Sequence, residues 1–338
     1  MEVKKQYKIL VKLPVKLGDT IMAAYFLRSI KDYFPQSQLD VIVARGLTDL
    51  LTLMPYVDHY HEFSKQEYSG FIGKVRYGRE VAREQKYDLF FCLPFSFSSA
   101  LSGFFTRSKV RIGYSTEHRG FLFTQSVKRP AGLHIVEEFN YLLKSYIGGD
   151  IFFRPLGFMP KEIPWIDQSI NKALVLNIKS GPPSRSIPVE KAVSIAKDVL
   201  QRYDFDIVLT GTSNESDYIS AVKKEFSNER RVIDMAGKTN IAELVYLINK
   251  ADCMITTDSG NAHIANAVGT PTVVLFGAAH PHRAKPYDQS ISRILRMKNM
   301  DCVPCQSEYC KFNDNRCLSE IENAGIFNAL DDLLGKVV

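Results

Sequence analysis

Short apolar runs alternate with stretches of helical period along nearly the whole chain, and this alternation limits the fold more than any other feature. YKILVKL (7–13), LDVIVA (39–44), YDLFFCL (87–93) and KVRIGY (109–114) read as strands. An amphipathic stretch from about Asp19 to Phe34 reads as a helix that Pro35 stops, and a second helical stretch runs from His134 to Ile147. Strands separated by helices return to the same end of a sheet and pair in parallel, so the series predicts doubly wound α/β structure. The pattern breaks over 149–170, where GDIFFRPLGFMPKEIPWIDQ carries three prolines and little periodicity. A second α/β series follows. Its strands are ALVLNI (173–178), DIVLTG (206–211), RVIDMA (231–236), DCMITT (252–257) and TPTVVLF (270–276). Its helices fall near 188–203, 214–226, 241–250 and 260–268, with a last one over 318–335. Two domains are expected, 1–155 and 156–338, since 338 residues exceed one ordinary core. No repeat is visible in register.

Composition sets the class. Hydrophobic content of 45% and charged content of 24% are those of a soluble globular protein. No apolar run reaches the roughly 18 residues of a membrane-spanning helix. The opening MEVKKQYKILVKL reads as a first strand, not a signal peptide, so a cytoplasmic location is expected. A net charge of +6 suits nucleotides, phosphosugars or a membrane surface, and is too diffuse for nucleic acid. Lys4, Lys5, Lys8, Lys12 and Lys16 form either a basic face or the solvated edge of the first strand.

Residues 256–277, TTDSGNAHIANAVGTPTVVLFG, carry the densest chemistry. Thr257, Asp258, Ser259 and Gly260 form a polar cluster suited to capping a short helix, with His263 near its first turn. An anion at such a helix start meets unsatisfied N–H groups and the positive end of the helix dipole. The stretch resembles the carboxy-terminal signature of glycosyltransferase family 9, the lipopolysaccharide heptosyltransferases. That pattern is D-S/T-G-x-x-H-x-A-x-A-x-G-T-P-x-x-x-L-F-G. The chain supplies Asp258, Ser259, Gly260, His263, Ala265, Ala267, Gly269, Thr270, Pro271, Leu275, Phe276 and Gly277. The resemblance implies a GT-B fold, two Rossmann-like domains facing a central cleft, with the acceptor held by the first and a nucleotide-sugar donor by the second.

Other segments extend the resemblance. LPVKLGD (13–19) is similar to the family's L-G-D turn, whose Asp is the proposed catalytic base and maps onto Asp19. A carboxylate there is able to take the proton of an attacking hydroxyl; the alternative is that Asp19 caps the helix. Gly18 is expected to permit a tight turn and close substrate approach, and Lys12 and Lys16 to meet charged groups of the acceptor. In KSGPPSRSIP (179–188) Arg185 stands where many members have a donor-binding Lys, while their Trp is missing here. Arg185 binds a diphosphate or is a solvated loop residue. Gly211 allows close approach of a ligand at a strand's carboxyl end. Glu215 matches the family's acidic position for donor hydroxyls, or complements a helix dipole.

Cys302, Cys305, Cys310 and Cys317 have the spacing C-x2-C-x4-C-x6-C of a zinc knuckle or small iron site, and structural cysteines, reduced or disulfide-linked, are the other reading. Cys92 and Cys253 lie in apolar runs and read as core. LFFCLPFSFSSALSGFF (89–105) is either a buried strand and helix or an acceptor groove. No P-loop, G-x-G-x-x-G or G-x-S-x-G is present.

The expected activity is inverting transfer of a heptose, or a related sugar, from an ADP-sugar to a lipopolysaccharide core or similar glycan. No metal or other cofactor is expected to be obligatory, and peripheral contact with the inner membrane is compatible. A nucleotide-sugar epimerase of similar build and a non-catalytic sugar-nucleotide-binding protein are the alternatives.

Overall fold

The computed structural model describes residues 6–169 and 172–335. Lys4 and Lys5 of the basic face, and Ile170 at the end of the 149–170 break, lie outside them. The chain divides into two compact units, Met1–Leu156 and Gly157–Val338.

The first unit is one parallel sheet of β1 (Lys8–Lys12), β2 (Gln38–Ala44), β3 (His59–Phe63), β4 (Leu89–Cys92), β5 (Val110–Tyr114) and β6 (Gln125–Val127). Their spatial order is β3-β2-β1-β4-β5-β6. The helices between them are α1 (Leu17–Tyr33), α2 (Gly70–Glu84), α3 (Phe97–Phe104) and α4 (Ile135–Ile147). Helix α1 is buried continuously from Thr20 to Leu27, since it lies over the sheet and against α4. Helix α2 packs on α3, and Gly78 makes this approach possible: a Cβ there would stand 2.3 Å from Ser102 O.

The second unit opens with a short helix, α5 (Pro164–Ser169). Its strands are β7 (Ala173–Asn177), β8 (Asp206–Leu209), β9 (Val232–Asp234), β10 (Cys253–Thr257), β11 (Thr272–Phe276) and β12 (Ser292–Arg296). The helices are α6 (Val189–Arg202), α7 (Ser216–Lys224), α8 (Ile241–Lys250), α9 (Gly260–Val268), α10 (Pro281–Ala284), α11 (Arg316–Ser319) and α12 (Asn323–Leu333). The order β12-β11-β10-β7-β8-β9, read from its other edge, is that of the first unit. The repeat that letters do not reveal is therefore one of topology.

In both sheets the order reverses beside the first strand, between β1 and β4 and between β7 and β10. Helices leave such a pair toward opposite faces, so a crevice opens at the strands' carboxyl ends, where α/β sheets bind ligands. Those ends are Lys12 beside Cys92, and Thr256 beside Asn177.

Strands β3, β6 and β12 and helix α2 are additions to the sequence expectation. The expected last helix, 318–335, is two helices, α11 and α12. Cys92 and Cys253 are core residues, and residues 89–105 form a buried strand followed by α3.

Candidate active site

In the second unit, polar side chains are buried together where a packed sheet would ordinarily end in apolar ones. Asn177, at the end of β7, accepts hydrogen bonds at Oδ1 from the hydroxyls of Thr256 and Ser259, each at 3.0 Å. Its Nδ2 donates to Thr210 O, just beyond β8, at 3.3 Å. One amide thus joins three strand ends. Ser180 donates from Oγ to Asp258 O at 3.3 Å, tying the loop after β7 to the loop after β10. The buried Thr257 Oγ1 has no hydrogen-bond partner among the described residues.

Ser259 occupies the N-cap position of α9, yet its side chain makes no capping hydrogen bond. This corrects the expectation that the Thr-Thr-Asp-Ser-Gly cluster caps it: the Ser259 hydroxyl is turned to Asn177. His263, in the first turn, is buried.

Asp258 is buried, and its Oδ2 lies 2.8 Å from Arg185 Nη1. Arg185 ends the short turn Pro183–Arg185, and its side chain is 32% exposed against 8% for the carboxylate. The solvated-loop reading of Arg185 is thereby replaced: the pair brings both residues to the α9 start.

Gly211 and Glu215 have local partners. A Cβ on Gly211 would stand 3.2 Å from Ile219 Cγ1 and 3.4 Å from Glu215 Oε2, so the close approach there is made by the chain itself. Glu215 Oε2 accepts the Thr212 N–H at 2.8 Å in a capping box, the helix-start reading of this residue.

The first unit presents an open pocket of about 960 Å³ at the carboxyl ends of β1 and β4. Asp19 lines it with Lys12, Lys16, Arg45, Lys65 and Lys74. Lys16 is the N-cap of α1 and Asp19 stands in the first turn, so Asp19 does not occupy the cap position. Gly18 lies inside the first helical turn, correcting the expectation of a tight turn that holds it, and is not among the lining residues. Thr20 Oγ1 lies 3.0 Å from both Pro14 O and Lys16 O and so fixes the loop that leads in.

Lys12 is almost wholly buried, with Nζ 3.8 Å from the Phe63 ring centre. Burial lowers its pKa to about 7; the Cys92 thiol beside it acts in the opposite direction and Lys74 in the same one.

Arg119, which sequence reasoning missed, shapes the rim. It is fully buried and donates from Nη1 to Pro94 O and Ser96 O, both at 2.7 Å, and from Nε to Tyr114 O at 2.9 Å. Pro94 and Ser96 line the pocket. Nothing in TEHRGF distinguishes this arginine from a surface one, because its partners are backbone carbonyls distant in the chain.

The four late cysteines line one small cavity of about 50 Å³ as free thiols. Burial pushes Cys317 up to about 11. Among the described residues no group of three His, Cys, Asp or Glu side chains is placed to hold a metal ion.

Comparison with known proteins gives these features a context. Residues 75–315 match the model of glycosyltransferase family 9 (heptosyltransferase). The chain is 26% identical over 313 residues to lipopolysaccharide heptosyltransferase 2 of Salmonella typhimurium strain LT2, covering 86% of this chain and 88% of that protein. A glycosyl transferase family 9 structure from Veillonella parvula DSM 2008 is similar with a TM-score of 0.85 at 20% identity, covering 100% of this chain and 99% of that one. The ADP-heptose lps heptosyltransferase II of E. coli is similar with a TM-score of 0.80 at 21% identity, covering 97% and 99%.

Proposed function

Because the chain belongs to glycosyltransferase family 9, the heptosyltransferases, and is a glycosyltransferase, we propose that it moves a heptose from an ADP-sugar to a saccharide of the lipopolysaccharide core. The observation that carries this reading is the chemistry at the two switch points. One ends in an α9 start whose N-cap residue, Ser259, gives no side-chain cap, beside a cation; the other opens a basic pocket lined by a single carboxylate.

The chemistry follows from those parts. An acceptor hydroxyl attacks the anomeric carbon, the bond from that carbon to the diphosphate oxygen breaks, and ADP leaves with the electron pair. The hydroxyl proton goes to the Asp19 carboxylate. Charge gathers on the departing diphosphate, where the α9 amides, the helix dipole and the Arg185 guanidinium meet it. Asp258 holds Arg185 in place for that contact. Thr257 Oγ1 offers a donor that the protein itself does not use. Single displacement inverts the anomeric centre. We assign no obligatory metal to the reaction, since these groups supply the positive potential a diphosphate needs.

No helix among the described residues is long and apolar enough to cross a membrane. We place the reaction at the cytoplasmic face of the inner membrane, with the core acceptor as its partner there.

The deciding experiment is Asp19→Asn. ADP binding, read by thermal shift, is expected to be preserved while heptose transfer falls by about a hundredfold or more. Transfer at the unaltered rate would remove Asp19 from the role of base.

A further inference from the structure

We infer that Asn315 is a positioning residue for the donor: it clamps the turn Pro183–Arg185 and so holds Arg185 where the diphosphate arrives. This rests on the reading of Arg185 as the cation that meets the diphosphate, and it gives the cysteine-bearing segment 302–317 a part in that grip.

One side chain makes the clamp. Asn315 Nδ2 donates to Pro183 O at 2.8 Å and to Ser186 O at 3.0 Å, across 132 and 129 residues of chain. These carbonyls stand before and after Arg185 in the sequence, so both donors of the amide nitrogen go to its turn. Between them Ser184 is tied to the same segment, its N–H to Glu308 O at 3.1 Å and its Oγ to Ser307 O at 2.5 Å. Ser184 and Ser186 are buried. Arg185 extends from between them to Asp258, and its buried Nε has no hydrogen-bond partner among the described residues.

Asn315 is itself anchored. It is the N-cap of α11, where its carbonyl accepts the amides of Leu318 and Ser319 at 2.8 and 3.1 Å. Cys317 and Leu318 are buried against the end of β11: a Cβ on Gly277 would stand 2.7 Å from Cys317 Sγ. The amides of Phe312, Asp314 and Asn315 turn to the Cys310 sulphur. The Asn315 backbone has φ 45°, in the left-handed region that asparagine and glycine tolerate better than other residues.

The turn alone is a poor foundation for a long side chain. It is one short helical turn, closed by Arg185 N–H to Pro182 O and Ser186 N–H to Pro183 O, and hydrogen bonds of that span have strained geometry. A guanidinium on a flexible stem loses rotamer freedom when it meets a ligand. Fixing its base beforehand removes part of that cost.

The test uses the full chain, with affinities read by titration calorimetry. Asn315→Gly suits the left-handed backbone and removes only the side chain, so the fold is retained. It is expected to weaken ADP about tenfold and to leave adenosine, which has no phosphate for Arg185, bound as in the wild type. In steady-state transfer the donor KM is expected to rise and the acceptor KM to stay unchanged. In an Arg185→Met background, Asn315→Gly is expected to weaken ADP no further. Ser184→Ala cuts a separate tie to the same segment and is expected to act in the same direction. Unchanged ADP affinity in Asn315→Gly overturns the inference. So does a further loss of the same size in the Arg185→Met background, since the clamp then acts through something other than Arg185. Equal losses for ADP and adenosine overturn it too, for they mark a unit loosened as a whole. If Arg185→Met alone binds ADP like the wild type, the donor reading of Arg185 falls and the inference falls with it.

Discussion

Removing either partner of the Arg185–Asp258 pair breaks the same contact, yet the two losses are expected to differ severalfold. The carboxylate side chain is 8% exposed and the guanidinium 32%, at 2.8 Å. Two unit charges near 4 Å interact by about 4 kcal/mol at an effective dielectric of 20, an upper range for this partly wet pair. Arg185→Met takes the guanidinium away from a buried carboxylate, which costs up to about 3–5 kcal/mol. Asp258→Asn keeps the shape and one acceptor oxygen, and Arg185 rehydrates through its exposed third, so about 1 kcal/mol is lost. At ~2–4 °C per kcal/mol, Arg185→Met lowers the melting temperature of this unit by roughly 10 °C and Asp258→Asn by about 3 °C. The double variant, with no buried charge left, is expected to melt above Arg185→Met. Calorimetry on the intact chain measures all three. If Asp258→Asn proves as costly as Arg185→Met, or the two losses add, the stranded-charge reasoning is wrong.

Other outcomes follow from single features. The native Lys12 pKa is lowered from 10.5 to about 7, so the folded state binds fewer protons between those values and wild-type stability rises with pH across that window. Lys12→Met is therefore expected to be more stable than wild type at pH 6, by a margin that shrinks toward pH 10 in thermal melts. Thr257→Val removes a buried hydroxyl without a partner and is expected to stabilise the protein free of donor by about 1 kcal/mol, while reducing the stabilisation ADP provides; chemical denaturation with and without ADP checks both. Gly78→Ala would place a methyl 2.3 Å from Ser102 O and 2.7 Å from Phe105 Cβ. It is expected to destabilise by about 1–3 kcal/mol, read as a lower denaturant midpoint.

The strands legible in the sequence are mostly those buried on both faces. β1, β4, β7, β10 and β11 read as apolar runs because helices cover both sides of them. β3, β6 and β12 end their sheets or consist of only three residues, and HYHEF and SRILR keep polar side chains that no apolar-run criterion finds. Helix α2 was hidden by its three glycines, of which Gly73 and Gly78 serve close packing. At the site, residues 257–263 were legible because one helix start gathers them in a row. Asn177, Ser180, Thr210, Lys74 and Arg119 were not. Asn177, Ser180 and Thr210 act through partners 33 to 82 residues away, and the roles of Lys74 and Arg119 come from backbone carbonyls that no residue pattern marks. The role of Ser259 was misjudged for the same reason: its hydroxyl has Asn177 to serve, 82 residues away.

Each sheet takes its strands from one uninterrupted stretch of polypeptide, and no strand crosses from one half to the other. On the proposed function, recognition of the acceptor and grip on the donor are thus encoded in separate lengths of gene. A chimera spliced near Leu156 would cut no hydrogen-bonded ladder, so on the proposed function a new acceptor specificity is reachable by exchanging the first cassette while the second is kept whole.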